Sequence, residues 1–362
     1  MNGRERIIAA LEIREADRVP LYIHGINEGP IIGIGRHITN GLPEPMEFQQ
    51  MQPAEKMKLL DTLFLIHEHY EVDGFTAFEI GDTQAVDEQH VRDDFGVVYV
   101  RSAHGIPVPR GYPVKERADL AGYRPPVPKK EHLALLELAK ARFGDAKALF
   151  WMMRGSFVKS WRLAGMENLM IKMFDDPGFV HEIAKMVLDY NLAQLELVAA
   201  AGAHVLIVED DIADKSSTLI SPAHFVEFVN PYNRKLVEAA HAKGMKVVRH
   251  SDGNLWPIMD ILIDTGYDGL NPLEPQAGMD LKKVKDYCGD RLCLIGNIDC
   301  VDLLPGGTVA QVDEAVRRAI LDAAAGGGLI ISDSNSLHPG VNPENCIAMF
   351  QAVKKYGVYG GS

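Results

Sequence analysis

The nine residues KVVRHSDGN, positions 246–254, decide how the rest of the chain is read. Val247 and Val248 form a short apolar run, followed at once by His250, Ser251, Asp252 and Gly253. In a strand, residues two apart point to one face. His250 and Asp252 are therefore expected to project side by side where the strand ends. An imidazole and a carboxylate aimed at one point make a metal site or an acid/base pair. The triplet also reads as a histidine held by a structural hydrogen bond and an aspartate capping the helix after Asn254.

Outward from that stretch the same unit recurs. Upstream, residues 204–208 read as a strand ending in Glu209, Asp210 and Asp211, and residues 221–241 as a helix with Ser221 as cap and Pro222 at its first position. Downstream, residues 269–273, 292–295 and 329–332 read as strands separated by helices, with Glu274, Asn297 and the group Asp333, Asn335, His338 at their ends. Toward the N-terminus, strands at 148–153, 74–80 and 19–26 end in Arg154, in Glu79 and Asp82, and in His24, Asn27 and Glu28. Residues 29–52 read as irregular and are long for a connection, a length typical of lids and partner surfaces. Residues 90–102 alternate around Asp94-Phe95-Gly96 and predict a small hairpin.

Strands alternating with helices predict a parallel sheet, and eight of them predict an α/β fold of the (β/α)8 TIM-barrel type. An N-terminal helix and the small hairpin insertion complete it, all within one domain spanning 1–362. The competing doubly wound sheet would advertise a glycine-rich phosphate turn after its first strand, whereas HGINEGPIIGIG lies in the irregular stretch. In a barrel the polar strand ends ring one mouth, where chemistry sits.

Composition narrows the function. AVILMFWYC residues make up 47% of the 362 and charged residues 24%, enough for a large core. A formal charge of −13 with no Lys/Arg cluster speaks against a nucleic-acid surface, yet a local arginine could still bind a small anion. No run reaches the ~20 apolar residues of a membrane span, and the N-terminus lacks a signal-peptide pattern. The four cysteines form no CxxC, so neither a zinc ribbon nor a disulfide scaffold is indicated. The expectation is a cytoplasmic protein with reduced thiols.

The segments RERIIAALEIREADRVP, DDFGVVYVR, LISPAHFVEFVNPYNRKL, HSDGN, GYDGLNPLEP, LIGNID and GGGLIISDSNSLHPGVNPEN together resemble the uroporphyrinogen decarboxylase superfamily. That superfamily holds cofactor-free decarboxylases and zinc-dependent methyltransferases that work with corrinoid (cobalamin) proteins. The decarboxylases carry an Arg-rich segment after the first strand. Here HGINEGPIIGIGRHITN offers only Arg36, and Asn335 stands where they tend to have a His. The thiol-methylating members bind zinc through His-x-Cys and a later Cys. Only His250 matches, with Asp252 and Asn335 at the cysteine positions. Oxygen donors make a harder, more Lewis-acidic site, suited to polarising an ether oxygen.

The resemblance therefore implies the O-demethylase type of methyltransferase, which moves a methyl group from a methoxylated aromatic to Co(I) of a corrinoid protein. A divalent metal, zinc by preference, is expected on His250, Glu209 and Asp252, with Glu79 as a reserve ligand. His250, Asp252, Glu209 and Asn335 form the expected catalytic set, Asn335 orienting the leaving oxygen together with Asn297. Arg154 is expected either to hold a substrate carboxylate or to form a structural salt bridge. Trp151 and Met153 read as an aromatic-compatible wall or as core. The corrinoid would come on a partner protein and the methyl group from a small molecule. Three alternatives remain: a metal-independent decarboxylase of a small or tetrapyrrole-like acid, a methylcorrinoid-dependent methyltransferase to another acceptor such as a folate, and a non-catalytic binding protein.

Overall fold

The structure, a computed structural model, describes residues 1–46, 50–101 and 107–360. Residues 47–49 of the expected loop and residue 102 of the expected hairpin lie outside the described residues. Seven parallel strands build one curled sheet: β1 (Gly74–Phe78), β6 (Ala148–Arg154), β7 (Val205–Glu209), β8 (Lys246–His250), β9 (Gly269–Asn271), β10 (Cys293–Ile298) and β11 (Leu329–Asp333), hydrogen-bonded in that order. Helices cover the convex face, so both faces of each strand are buried, which is why the strands read as nearly continuous apolar runs.

The two faces divide by parity. Ala148, Phe150, Val205, Ile207, Val248, Cys293, Ile295 and Ile330 pack into one concave-side core with Tyr22. Leu149, Trp151, Leu206, Val208, Val247, Leu294 and Ile331 pack on the other side, in the core that includes the helices. One end of the concave core is filled by the N-terminal helix Gly3–Leu11, which contributes Ile7, Ala10 and Leu11. Its start is set by a capping box: Glu5 N–H donates to Asn2 Oδ1 at 2.9 Å and Asn2 N–H to Glu5 Oε2 at 2.8 Å. The C-terminal strand ends make the opposite rim.

The expected first strand, residues 19–26, is not a regular strand. It bridges the two edges of the seven-stranded sheet. Tyr22 N–H donates to Ile331 O and Ile331 N–H to Pro20 O, both at 2.9 Å, while Asp73 N–H donates to Leu21 O at 2.8 Å. Pro20 has no N–H to give, so the ladder is short. The buried Asp73 carboxylate fixes the bridge by accepting from Arg18 (2.9 and 3.0 Å) and from Leu21 N–H (2.8 Å). The run ADRVP is thus a clamp on the sheet edge.

One further expectation is corrected and another is extended. Residues 29–52 are not irregular throughout: Glu28–Gly35 is a helix that buries Ile31, Ile32 and Ile34. Gly33 and Gly35 bring it against Pro343 and Thr62, where a Cβ would come within 2.4 and 2.5 Å of side-chain carbons. Close packing there outweighs the low helix propensity of glycine. The expected hairpin is present as β3 (His90–Asp93) antiparallel to β4 (Val98–Val100), and β2 (Thr83–Ala85) and β5 (Val108–Gly111) extend it to a four-stranded antiparallel sheet. It leans on the long helix Pro177–Ala200, with the Phe95 and Tyr190 rings 4.8 Å apart.

Candidate active site

The parity that buries Phe150, Ile207 and Val248 on the concave side continues to Arg154, four residues on, and to Glu209 and His250, two residues on. These three occupy matched register positions on adjacent strands, Arg154 beside Glu209 and Glu209 beside His250. The imidazole of His250 is buried and its orientation is set from behind. Asn271 at the end of β9 donates from Nδ2 to Ile295 O at 3.2 Å, which turns its amide oxygen to His250 Nδ1 at 2.6 Å. The proton therefore sits on Nδ1, and Nε2 faces the mouth with its lone pair free.

Two carboxylates face that nitrogen. Asp211 Oδ1 is 3.9 Å and Asp252 Oδ1 3.8 Å from His250 Nε2. The loops that carry them are tied together: Asp252 N–H donates to Asp211 Oδ1 at 3.1 Å, and Ile212 N–H donates to Ser251 Oγ at 3.1 Å. Asn335, in the loop after β11, donates to the other oxygen of Asp252, which leaves Oδ1 buried and without a hydrogen-bond partner. Gly253 turns the chain at φ +88°, where a Cβ would meet the backbone of Ala213 and Asp214 at 2.6 Å, and its N–H donates to Glu274 Oε2 at 3.0 Å. Each residue of the run 250–253 thus has a separate task in holding the cluster.

The cluster attracts positive charge. Burial first, and then the neighbouring carboxylates of Asp211, Glu274 and Glu209, push the Asp252 carboxyl up to about 7 against the opposing pull of His250. Burial disfavours the His250 imidazolium, but Asp211, Asp252 and Glu209 outweigh it and raise its pKa. One ligand atom each from Asp211, His250 and Asp252 lies within 4.8 Å of the others. Tetrahedral ligands about 2.1 Å from a zinc ion stand about 3.4 Å apart. The observed separations need only a small contraction, and the unpartnered Asp252 Oδ1 supplies a donor aimed at the point, so the residues fit a divalent cation.

His24 completes the group from the bridging segment. Its ring stacks on His250, with centroids 4.2 Å apart and planes 9° from parallel. Burial, with His250 alongside, holds its pKa well below the ordinary value, so it remains neutral. The sequence reading passed over His24 as a site residue. The available signal was parity, because His24 is two residues beyond the inward-facing Tyr22.

The remaining expected residues divide. Glu209 turns to Arg154, whose Nη1 lies 3.0 Å from its Oε2, and the third ligand corner is taken by Asp211 instead. The strand ends at Glu209, so alternation no longer dictates which way Asp210 and Asp211 point. Asp210 turns into the interior to meet the fully buried Arg249 at 3.1 Å. Arg154 takes its salt-bridge role. Trp151 has the outward parity, is fully buried, and donates from Nε1 to Gln194 at 3.4 Å, so it is core and no substrate wall. Asn297 donates to Met279 O at 3.4 Å and hydrogen-bonds to none of Asp211, His250 or Asp252. Glu79 accepts from Tyr190 Oη and stands away from the cluster. With Met153, Arg154 and Glu209 it lines a cavity of about 220 Å3 between β6 and the four-stranded insertion.

Comparison with known proteins agrees with the architecture. A structure described as a methyltransferase from Methanosarcina mazei superposes with a TM-score of 0.76, at 20% identity, over 98% of this chain and 99% of that one. The methylated-thiol–coenzyme M methyltransferase of Methanosarcina mazei is 27% identical over 227 residues, 62% of this chain and 57% of the relative. The methylcobamide:CoM methyltransferase MtbA of Methanosarcina acetivorans is 25% identical over 194 residues, 54% and 55% of the two chains. The chain thus matches little more than half the length of these relatives. No helix among the described residues is long and apolar enough to cross a membrane. The family profile for uroporphyrinogen decarboxylase (URO-D) matches residues 91–356, and the chain belongs to that family.

Proposed function

We propose that the protein is a corrinoid-dependent methyltransferase that cleaves a methyl ether of a methoxylated aromatic and passes the methyl group to Co(I) of a corrinoid carried by a partner protein. The observation that carries this reading is the convergence of His250 Nε2, Asp211 and Asp252 on one point, with His250 Nδ1 committed to Asn271. A divalent ion held by these three, zinc by preference, would supply a Lewis acid that makes the aryloxide a better leaving group. The chain's own residues do the positioning. Asn271 fixes the imidazole, Asn335 holds one oxygen of Asp252 so that the other faces the mouth, and neutral His24 covers one face of the ring and excludes water. Asp252 and Asn335 stand at the cysteine positions of thiol-methylating members and the second carboxylate comes from Asp211, so the donors beside His250 are oxygens, which favours an oxygen leaving group. The names of the relatives, one of which uses a methylcobamide, support the class of reaction.

A second reading draws on the Asp252 carboxyl near 7. Such a group is a competent proton donor, as a metal-independent decarboxylase would need. One experiment separates the two. The purified protein is assayed for metal content and, with 3-methoxybenzoate, for conversion of cob(I)alamin to methylcobalamin by absorbance. Near-stoichiometric zinc and methylcobalamin formation are expected, with both lost in His250→Ala. Metal-free protein releasing carbon dioxide from an acid substrate would establish the decarboxylase instead.

A further inference from the structure

Lysine is seldom buried, and a buried ammonium normally finds an acceptor. Lys147 follows that rule: its Nζ donates to His67 O at 2.9 Å and to Val72 O at 2.6 Å. Lys159 does not. It stands on the helix Ser156–Ala164, is only 8% exposed, and lines the cavity between β6 and the four-stranded insertion. Its Nζ lies 3.9 Å from the centroid of the Tyr190 ring and 4.2 Å from that of Phe95, and among the described residues it has neither a hydrogen bond nor an ion pair. Glu79, Asp94 and Asp93 act on it through space without pairing with it.

A lysine held in this way is a nucleophile, because its surroundings penalise the ammonium and not the free amine. Burial pulls the Lys159 pKa from 10.5 down to about 8, with Arg154 adding to the pull and Glu79 and Asp94 opposing it. At pH 8 about half of the group is then free amine, against about one part in 300 for an ordinary lysine. An acid stands in the same cavity. Asp94 Oδ2 is buried without a hydrogen-bond partner, and burial, followed by the neighbouring Glu79, raises the pKa of its carboxyl.

The cavity limits the guest. Its volume is about 220 Å3, and Phe78, Phe95 and Tyr99 give it flat apolar walls. A dry cavity of about 150 Å3 takes benzene, so one ring with a small substituent fits here. Carboxylates outnumber cations in the lining: Glu79, Asp82, Asp93, Asp94 and Glu209 against Arg154, Lys159 and Arg162. An anionic guest is therefore repelled, whereas a neutral one that becomes cationic on the lysine nitrogen is stabilised.

We propose that Lys159 is a nucleophilic amine that captures a neutral one-ring aldehyde in this cavity as a Schiff base. The amine lone pair forms the C–N bond, the carbonyl π pair moves to oxygen, and one proton passes from nitrogen to that oxygen. Asp94 then protonates the resulting hydroxyl, which leaves as water while the nitrogen lone pair closes the C=N bond. The products are the iminium, one water and the Asp94 carboxylate. The inference needs neither the His250 cluster nor a corrinoid, so it stands or falls apart from the methyl-transfer reading.

The full chain is treated with benzaldehyde and cyanoborohydride at pH 7.5, and benzylated lysines are located and timed by peptide mass spectrometry. Lys159 gains its benzyl group about tenfold or more faster than the exposed Lys215, Lys235 and Lys283, and unfolding in guanidinium abolishes the difference. Benzyl alcohol, a neutral ring that cannot form an imine, protects Lys159, whereas benzoate at the same concentration does not. Asp94→Asn slows labelling at Lys159 about tenfold or more and leaves the exposed lysines unchanged. Labelling of Lys159 in the folded wild type at or below the rate of the exposed lysines overturns the proposal, whatever the variant does. Protection by benzoate equal to that by benzyl alcohol overturns the neutral guest. An undiminished rate in folded Asp94→Asn overturns the step as written.

Discussion

Replacing Lys159 by methionine should stabilise the protein in a pH-dependent way. Burial lowers the Lys159 pKa from its ordinary 10.5 to about 8, partly offset by Glu79 and Asp94. A depression of that size corresponds to about 3 kcal/mol of folding free energy at neutral pH. The folded-state pKa is depressed, so the unfolded chain binds the proton more strongly. Stability associated with this group is fully present above pH 10.5 and is lost as pH falls through 8. Methionine matches the lysine stem and removes the charge. It forfeits the cation–π contacts with Tyr190 and Phe95, worth about 1–2 kcal/mol, and regains part through sulfur–aromatic contact. The net gain at pH 6.5 is then about 1–2 kcal/mol. Between pH 6.5 and 9.5 the advantage of the variant should shrink by about 2 kcal/mol as the wild-type lysine becomes easier to bury. Scanning calorimetry of both proteins at the two pH values reads this as a melting-point gap of a few degrees at most that closes or reverses. A variant less stable than wild type at pH 6.5, or a gap independent of pH, would refute the account of Lys159 as a charge held at the expense of stability.

Other outcomes follow from the same geometry. Asp211→Asn should lower zinc affinity by at least the 10–100-fold typical of changes behind the ligands, whereas Glu209→Gln should leave zinc content near wild type; elemental analysis after dialysis decides between them. Asn271→Leu removes the acceptor that holds His250 Nδ1–H, and zinc affinity measured against a competing chelator should fall about 10–100-fold with little change in circular dichroism. Arg249→Leu strands the fully buried Asp210 without its cation and should cost about 3–5 kcal/mol in denaturant unfolding, despite the hydrogen bonds from Val158 and Asn233.

Much of the architecture could be read from pattern. Apolar runs of strand length alternating with capped helices require a parallel sheet covered by helices, and among the described residues seven such strands lie in sequential order. The expectation failed where local pattern was weakest. Residues 19–26 look like a strand, but Pro20 interrupts the ladder and the segment is held instead by Arg18 on Asp73. The helix Glu28–Gly35 was hidden by its glycines, which exist for contact with Pro343 and Thr62. Both features depend on partners distant in the chain, and no local propensity encodes them.

The site divides along the same line. His250 and Asp252 were legible because strand parity and the following Gly253 are local properties. Parity, applied with equal strictness, would also have placed Trp151 outward and His24 inward. Beyond the strand end that rule has no force. Which of Glu209, Asp210 and Asp211 faces the imidazole depends on Arg154 capturing the first and Arg249 the second, leaving Asp211 beside His250. The cavity with Lys159 and Arg162 arises only where the insertion folds back against the helix Pro177–Ala200, because Phe95 and Tyr190 must meet before there is an enclosed space for the ammonium. Periodicity and turn chemistry along the chain determined where the strands end and that polar groups crowd those ends. Tertiary packing decided which of those groups point at one another, since that choice is made by contacts between residues tens to hundreds of positions apart.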